Sequence, residues 1–339
     1  MTYDLLIIGS GPAARAAALA AAALRRHVAL VAPSEEADSS EARPEHLRAV
    51  VSRLLEERRG NRPTLADLHR ELAEISRADG EEGERRLVEA GTDFYRGAAR
   101  FLDEATVVVE TGSETVTLAA DRILIATGTR PGRPGYVPFA PPQIVTADEL
   151  RAWEALPPRV AIVGGGTTGR EHARLLAALG AAVSVVDARP EIGTGGDFGE
   201  ADELPHPACL PNVAWRSGVE AIGAARLAGG GVSVALDDGG RIVADAALWC
   251  TERIGATRDL DLPAAGIVPD ERGRLWCNDQ SRTWAPGIYA AGDVVGYPPP
   301  AEDEARAARR IVEHALGAAA PHTIGGFRRR GAQRARVAH

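Results

Sequence analysis

Residues 159–189 read RVAIVGGGTTGREHARLLAALGAAVSVVDAR. Val160 to Val163 is a short apolar run of the kind that a buried parallel strand requires. Gly164-Gly165-Gly166-Thr167-Thr168-Gly169 follows as a G-x-G-x-x-G. Behind it, Ala173, Leu175, Leu176 and Leu179 recur at helical spacing, and Gly180 supplies the residue that ends a helix. Ala182 to Val186 gives a second strand, closed by Asp187. Strand, glycine loop, helix, strand and terminal acid, in that order, describe a dinucleotide-binding βαβ unit. One glycine makes the tight turn, one lets a pyrophosphate approach the backbone, and one lets helix and strand pack closely. Open N–H groups and the dipole at the helix start favour the phosphates. Asp187 accepts hydrogen bonds from the adenosine ribose hydroxyls. The alternative reading of the same residues is a glycine-rich turn that binds nothing.

The chain begins with a second version of this pattern. Tyr3 to Ile8 reads as a strand, Gly9-Ser10-Gly11-Pro12-Ala13-Ala14 as a G-x-G-x-x-A, residues 13–25 as an alanine-rich helix, and His27 to Val31 as the next strand. Two nucleotide domains are therefore expected in an α/β fold. One part is missing from the first unit. Its strand-end acid falls on Ala32, and the nearest acids, Glu35 and Glu36, lie beyond Pro33 and Ser34.

Bulk properties narrow the class. The 339 residues suit two domains and are 45% hydrophobic and 25% charged, which is ordinary for a globular protein. A formal net charge of −8 argues against nucleic acid as partner. Cys209, Cys250 and Cys277 are scattered and form no C-x-x-C or C-x4-C, so neither a disulfide framework nor a metal site is expected. The N-terminus lacks a signal layout, and its alanine-rich run is too short to span a bilayer. A cytoplasmic protein with no membrane partner is the expectation.

Between the two units, residues 34–46 read as a polar loop and Leu47 to Leu55 as helical. Thr64 caps a long helix that runs to Ala90, with a break expected near Gly80. Thr92 to Phe101, Thr106 to Thr111, Glu114 to Leu118 and Arg122 to Ala126 read as strands. Residues 131–142 hold five prolines and two glycines and read as a connector. Beyond Asp187 come short strands at 213–215, 218–222, 232–236, 241–244 and 247–249. A further strand ends in Gly292-Asp293, and a helix covers about 301–316. The arginine-rich residues 317–339 read as a frayed tail.

ILIATGTRP (123–131) and GIYAAGDVVGYP (287–298), flanking the central unit, resemble the two-dinucleotide-binding-domain flavoproteins, the pyridine nucleotide–disulfide oxidoreductases. LRAVVSRLLE (47–56) and DFYRGAARFLDEATV (93–107) resemble the soluble pyridine nucleotide transhydrogenases within that family. The resemblance implies a discontinuous FAD domain, 1–147 and 283–317, with an NAD(P) domain, 148–282, inserted in it, and a basic tail at 318–339. It places FAD on Gly9, Ser10, Gly11, Pro12, Ala13 and Ala14, on Ala99 near the adenine, on Thr127 and Gly128, and on Gly292 and Asp293. It places NAD(P) on Gly164, Gly166, Thr167, Thr168, Gly169, Asp187 and Arg189, and Glu171 close to the nicotinamide. The bland alternatives are an exposed first-turn acid for Glu171 and a helix N-cap for Asp293.

The chain departs from the family in several places. The glycine-rich cysteine loop is replaced by SEEADSSEARPEH, the lysine beside the flavin falls on Glu45, and the C-terminal interface domain and its dimer contact are not expected. Two functions follow. One is an FAD-dependent NAD(P)H oxidoreductase, transhydrogenase-like, with an unidentified electron acceptor and no redox disulfide. The other is a non-catalytic NAD(H)-binding relative that has lost flavin. Asp187 favours NAD, and Arg189 offsets its charge toward NADP.

Overall fold

The computed structural model describes residues 2–34, 46–47, 49–50, 53, 64–190, 207–297 and 303–317. Glu45, most of the 34–46 loop and the tail at 318–339 lie outside the described residues. Of the helix expected over 47–55, Leu47, Ala49, Val50 and Arg53 are described; all four are helical, and Leu47 and Val50 are buried.

The first unit opens with β1 (Leu5–Ile8), α1 (Pro12–Ala23) and β2 (Val28–Ala32). Every residue of both strands is buried, as strands covered on two faces must be. Helix α2 (Leu65–Glu89) starts from a capping box in which Thr64 and Asp67 bond each other's backbone. It then runs unbroken for 25 residues through Gly80 and Gly83. The expected break is overridden by packing, because Leu65, Leu68, Leu72 and Leu87 are all buried along it. Gly83 has a use of its own, since a Cβ there would lie 2.6 Å from the guanidinium carbon of Arg15.

The run expected as one strand over 92–101 divides at Gly97 into β3 (Asp93–Arg96) and β4 (Ala98–Asp103). The chain changes sheet there because it passes close to the backbone of Glu110, 2.3 Å from where a Gly97 Cβ would stand. β4 continues into an antiparallel meander with β5 (Thr106–Thr111) and β6 (Glu114–Ala120), and β7 (Ile123–Ile125) returns to the parallel sheet.

After β8 (Thr129–Pro131) and β9 (Ile144–Thr146) comes the second unit proper. It consists of β10 (Arg159–Val163), α3 (Thr167–Leu179), β11 (Ala182–Asp187) and β12 (Val213–Ser217). A three-stranded antiparallel layer, β13 (Ala221–Arg226), β14 (Val232–Leu236) and β15 (Arg241–Ala244), leads to β16 (Ala246–Trp249) and β17 (Arg253–Gly255). β18 (Ile288–Ala290) and α4 (Glu304–Leu316) end the described chain.

Two five-stranded parallel sheets result. The first is ordered β18-β7-β1-β2-β3 and the second β9-β16-β10-β11-β12. Strand β18 comes from the far end of the sequence yet pairs inside the first sheet. Helix α4 packs on α1, burying Ala308, Ile311, Val312 and Leu316 against its alanines, and Arg26 donates to the Leu316 carbonyl at 2.7 Å.

The two cores draw on distant segments of the chain. Ile144–Thr146 belongs to the second sheet, and Leu260, Leu262, Ala265, Ile267 and Leu275 join the core of the first unit. The first half of α2 adds Leu65, Leu68 and Leu72 to the cluster that holds Leu175, Leu176 and Leu179 of α3. Among the described residues no helix is long and apolar enough to cross a membrane.

Candidate functional site

Both glycine loops adopt the geometry that the sequence implies. Gly9 sits at φ +130°, and a Cβ on it would stand 2.1 Å from the Ala126 carbonyl oxygen. Gly164 sits at φ +102°, with the Cys250 carbonyl oxygen 2.6 Å from the same point. The closing positions differ. A Gly169 Cβ would lie 1.9 Å from the Gly164 carbonyl, so only glycine fits, whereas the first loop tolerates Ala14, fully buried. The middle glycines, Gly11 and Gly166, have nothing within 4 Å of the point where a Cβ would stand. That open space is the cradle a diphosphate needs.

The helix starts carry the same distinction. α2 and α4 are capped by the side chains of Thr64 and Asp303. α1 and α3 begin at Gly11 and Gly166, with no side-chain cap and no acid in the first turn. Their leading N–H groups are left for an anion. Pro12 takes the first helical position of α1, where its missing N–H costs nothing. Ser10 and Ala13 flank that turn. Thr167 is exposed and Thr168 half-buried at the corresponding turn of α3.

At the second strand end, Asp187 is buried and held by Arg189, whose Nη2 donates to Oδ2 at 2.7 Å and whose Nε lies 3.1 Å from both oxygens. Its Oδ2 and the Trp215 ring both come within 2.5 Å of a Gly165 Cβ position, so acid, indole and glycine loop crowd together. Sequence reading missed Trp215, because only the Val185–Trp215 register of β11 and β12 brings it there. At the first strand end, Ala32 is buried and its register partner is Arg96.

The remaining flavin-side residues are dispersed around the first sheet. Thr127 follows β7, and its Oγ1 is buried without a hydrogen-bond partner, as a hydroxyl turned toward a bound group would be. Gly128 is at φ +69° with open space around it. Gly292 is at φ +74°, and Asp293 is exposed in a short 3-10 turn. Asp293 is not the cap of α4, a role that Asp303 takes. Ala99 is buried in the core of the antiparallel meander, and Arg96, three residues earlier, faces the first glycine loop instead.

Glu171 is not an exposed first-turn acid. It is 2% exposed, its Oε1 accepts from Arg174 Nη1 at 3.2 Å, and Arg174 is equally buried. Beside it His172 is buried, with Nδ1 donating to the Thr168 carbonyl at 2.8 Å. Burial pushes its pKa down. Arg253 ties the two chain crossings together, donating to Thr129 Oγ1 at 2.9 Å and to the Thr129 carbonyl at 2.7 Å.

The three cysteines are free. Burial holds the Cys250 thiol far above its ordinary range and pushes Cys277 up to about 11, so both are protonated at neutral pH. Among the described residues no cluster of His, Cys, Asp and Glu is placed to hold a metal ion.

The chain is similar to several known proteins. The family model described as pyridine nucleotide-disulphide oxidoreductase matches residues 3–320. The soluble pyridine nucleotide transhydrogenase of Mycobacterium bovis is 32% identical, over 93% of this chain and 71% of its own. That of Ectopseudomonas mendocina is 33% identical, over 92% and 71%. Among solved structures, LpdA from Mycobacterium tuberculosis matches with a TM-score of 0.78 at 25% identity, over 94% of this chain and 73% of its own. The flavoprotein disulfide reductase RclA from Escherichia coli shares the fold, with a TM-score of 0.76 at 22% identity over 93% and 71%. The chain belongs to the pyridine nucleotide-disulphide oxidoreductase family and is an oxidoreductase of FAD and a nicotinamide nucleotide.

Proposed function

We propose that this protein is a transhydrogenase-like NAD(P)H oxidoreductase that works without a redox disulfide. The observation that carries the reading is the pair of uncapped glycine cradles in one chain, each open where a diphosphate sits. In this reading the FAD domain is built from β1 to β7 with β18 and α4, and the nicotinamide domain from β9 to β16. Gly9, Ser10, Gly11, Pro12, Ala13 and Ala14 hold the FAD diphosphate. Thr127, Gly128, Gly292 and Asp293 line the ribityl side. Gly164, Gly166, Thr167, Thr168 and Gly169 hold the nicotinamide nucleotide, and Asp187 with Arg189 takes its adenosine ribose.

FAD, when bound, supplies the hydride-accepting ring. The chain's own task is to stack the nicotinamide against that ring at close range and exclude water. Glu171 and Arg174 form a buried ion pair within α3, just past the glycine loop. The thiols take no part: Cys277 is held as a thiol, and C-x-x-C and C-x4-C pairs are absent from the sequence. The relatives named soluble transhydrogenases point to a second nicotinamide nucleotide as the acceptor.

A second reading, a nicotinamide-nucleotide binder without flavin, is favoured by Ala32 and by the SEEADSSEARPEH segment that replaces the family's glycine-rich cysteine loop. The test is an absorbance spectrum after incubation with FAD and desalting. A flavin spectrum that bleaches with NADH and recovers on adding an oxidised nicotinamide nucleotide supports the transhydrogenase. A colourless protein that still binds NADH overturns it in favour of the second reading.

A further inference from the structure

Ala32 leaves the first unit without a strand-end acid, yet a carboxylate reaches the same place from another element. Ser10 of the glycine loop, Leu30 and Ala32 of β2, Phe94 and Arg96 of β3, and Glu84 of α2 line one small cavity beside the loop. Arg96 is the register partner of Ala32, lies over the Phe94 ring at 5.2 Å, and donates from Nη2 to Glu84 Oε2. Arg15 fixes the helix that carries Glu84. Its Nε donates to the Ser10 carbonyl at 2.9 Å, and its Nη1 to Asp79 Oδ2 at 2.9 Å and to the Asp79 carbonyl at 3.1 Å. Gly83 gives that guanidinium room to lie flat on α2. The helix is therefore pinned to the glycine loop at Asp79, five residues before Glu84.

We propose that Glu84 anchors the adenosine ribose of FAD in place of the missing strand-end acid, with Arg96 as its positioning residue. The proposal rests on the reading that the first unit holds FAD. The second unit supplies the pattern, since Asp187 there is likewise a carboxylate gripped by one arginine. A carboxylate has about four acceptor sites, so one arginine leaves enough for two ribose hydroxyls. Charge excludes the opposite assignment, a 2′-phosphate site. Arg96 is already matched by Glu84 and Arg15 by Asp79, and a phosphate would meet the Glu84 carboxylate.

The experiment titrates the full chain with FAD and with an FAD whose adenosine lacks the 2′-hydroxyl, reading flavin fluorescence, with NADH titrated in parallel. Wild type is expected to prefer FAD about tenfold. Glu84→Gln should bind FAD about 10- to 100-fold more weakly and lose that preference, with the NADH dissociation constant unchanged. Glu84→Asp, too short to reach, should behave the same way. Adding Ala32→Glu to Glu84→Gln should recover about tenfold. Retained preference in both Glu84 variants overturns the assignment alone, as does equal weakening toward both flavins. Wild type that takes up no flavin overturns the flavin reading and the assignment with it.

Discussion

The chain contains the same backbone device twice and furnishes it differently. Counted from the first glycine, Ala32 and Asp187 hold one position, Arg15 and Arg170 another, Ala17 and His172 a third. Both loops turn through a positive φ, both leave their middle glycine facing open space, and both start an uncapped helix. The second unit carries its acid and its indole on its own strands, and its arginine two residues beyond the acid. The first draws its charged groups from α2 and β3. In the proposed reading the backbone alone fixes where the phosphates go, whereas the ribose contact is open to supply from any element that packs nearby.

The hardest test of the shared backbone is steric. Gly169→Ala puts a methyl 1.9 Å from the Gly164 carbonyl, and Gly9→Ala puts one 2.1 Å from the Ala126 carbonyl at positive φ. Each should lower stability by roughly 3 kcal/mol, read from urea unfolding midpoints. A Gly169→Ala variant as stable as wild type would erase the difference at the closing position, where the first loop already holds Ala14. The middle glycines should behave in the opposite way. Gly166→Ala meets no protein atom within 4 Å, so stability should change by under about 1 kcal/mol while NADH affinity falls about a hundredfold. Gly11→Ala should do the same to FAD and spare NADH, and calorimetric titration of both ligands separates the two.

Smaller effects sharpen the contrast in side chains. Asp187→Ala should weaken NADH about tenfold and NADPH less, because Arg189 is then released toward a 2′-phosphate. Equal loss of both nucleotides would remove the ribose contact from Asp187. His172 has an alanine as its counterpart in the first unit, and its effect appears in pH. The folded chain holds the ring neutral, while in the unfolded chain it protonates near its ordinary 6.5. Stability from this site is full above that value and is lost as pH falls below it, by up to about 1.4 kcal/mol per pH unit. His172→Asn should flatten the fall in thermal midpoint between about pH 6.5 and 5.

The two glycine units and the strand that returns near residue 288 were legible because each is written in a contiguous stretch. The period-two and glycine signals do not depend on distant neighbours. What escaped depends on register and docking. Trp215 reaches the Asp187 site through pairing of β11 with β12, and Glu84 reaches Ala32 through α2 lying across the first unit. The unbroken α2 was hidden too, since Gly80 argues locally for a break and only the leucines buried on two different units override it. The burial of Glu171 was not legible either, because Arg174, its partner one turn on, looks on paper like any solvated arginine.

The ribbon of β8 and β17 has a consequence for modularity. Gly132 N–H donates to the Glu252 carbonyl at 2.9 Å, so the points where the chain leaves the first unit and re-enters it are hydrogen-bonded neighbours. The described residues between 132 and 252 hang from this two-stranded stalk, the topology of a transplantable cassette. Packing opposes what the topology permits. Leu47, Val50, Leu65, Leu68 and Leu72, which lie outside the cassette, fill the cluster around α3. Excised at its stalk, the cassette would carry an uncovered leucine face, and its solubility would depend on replacing that face by polar residues.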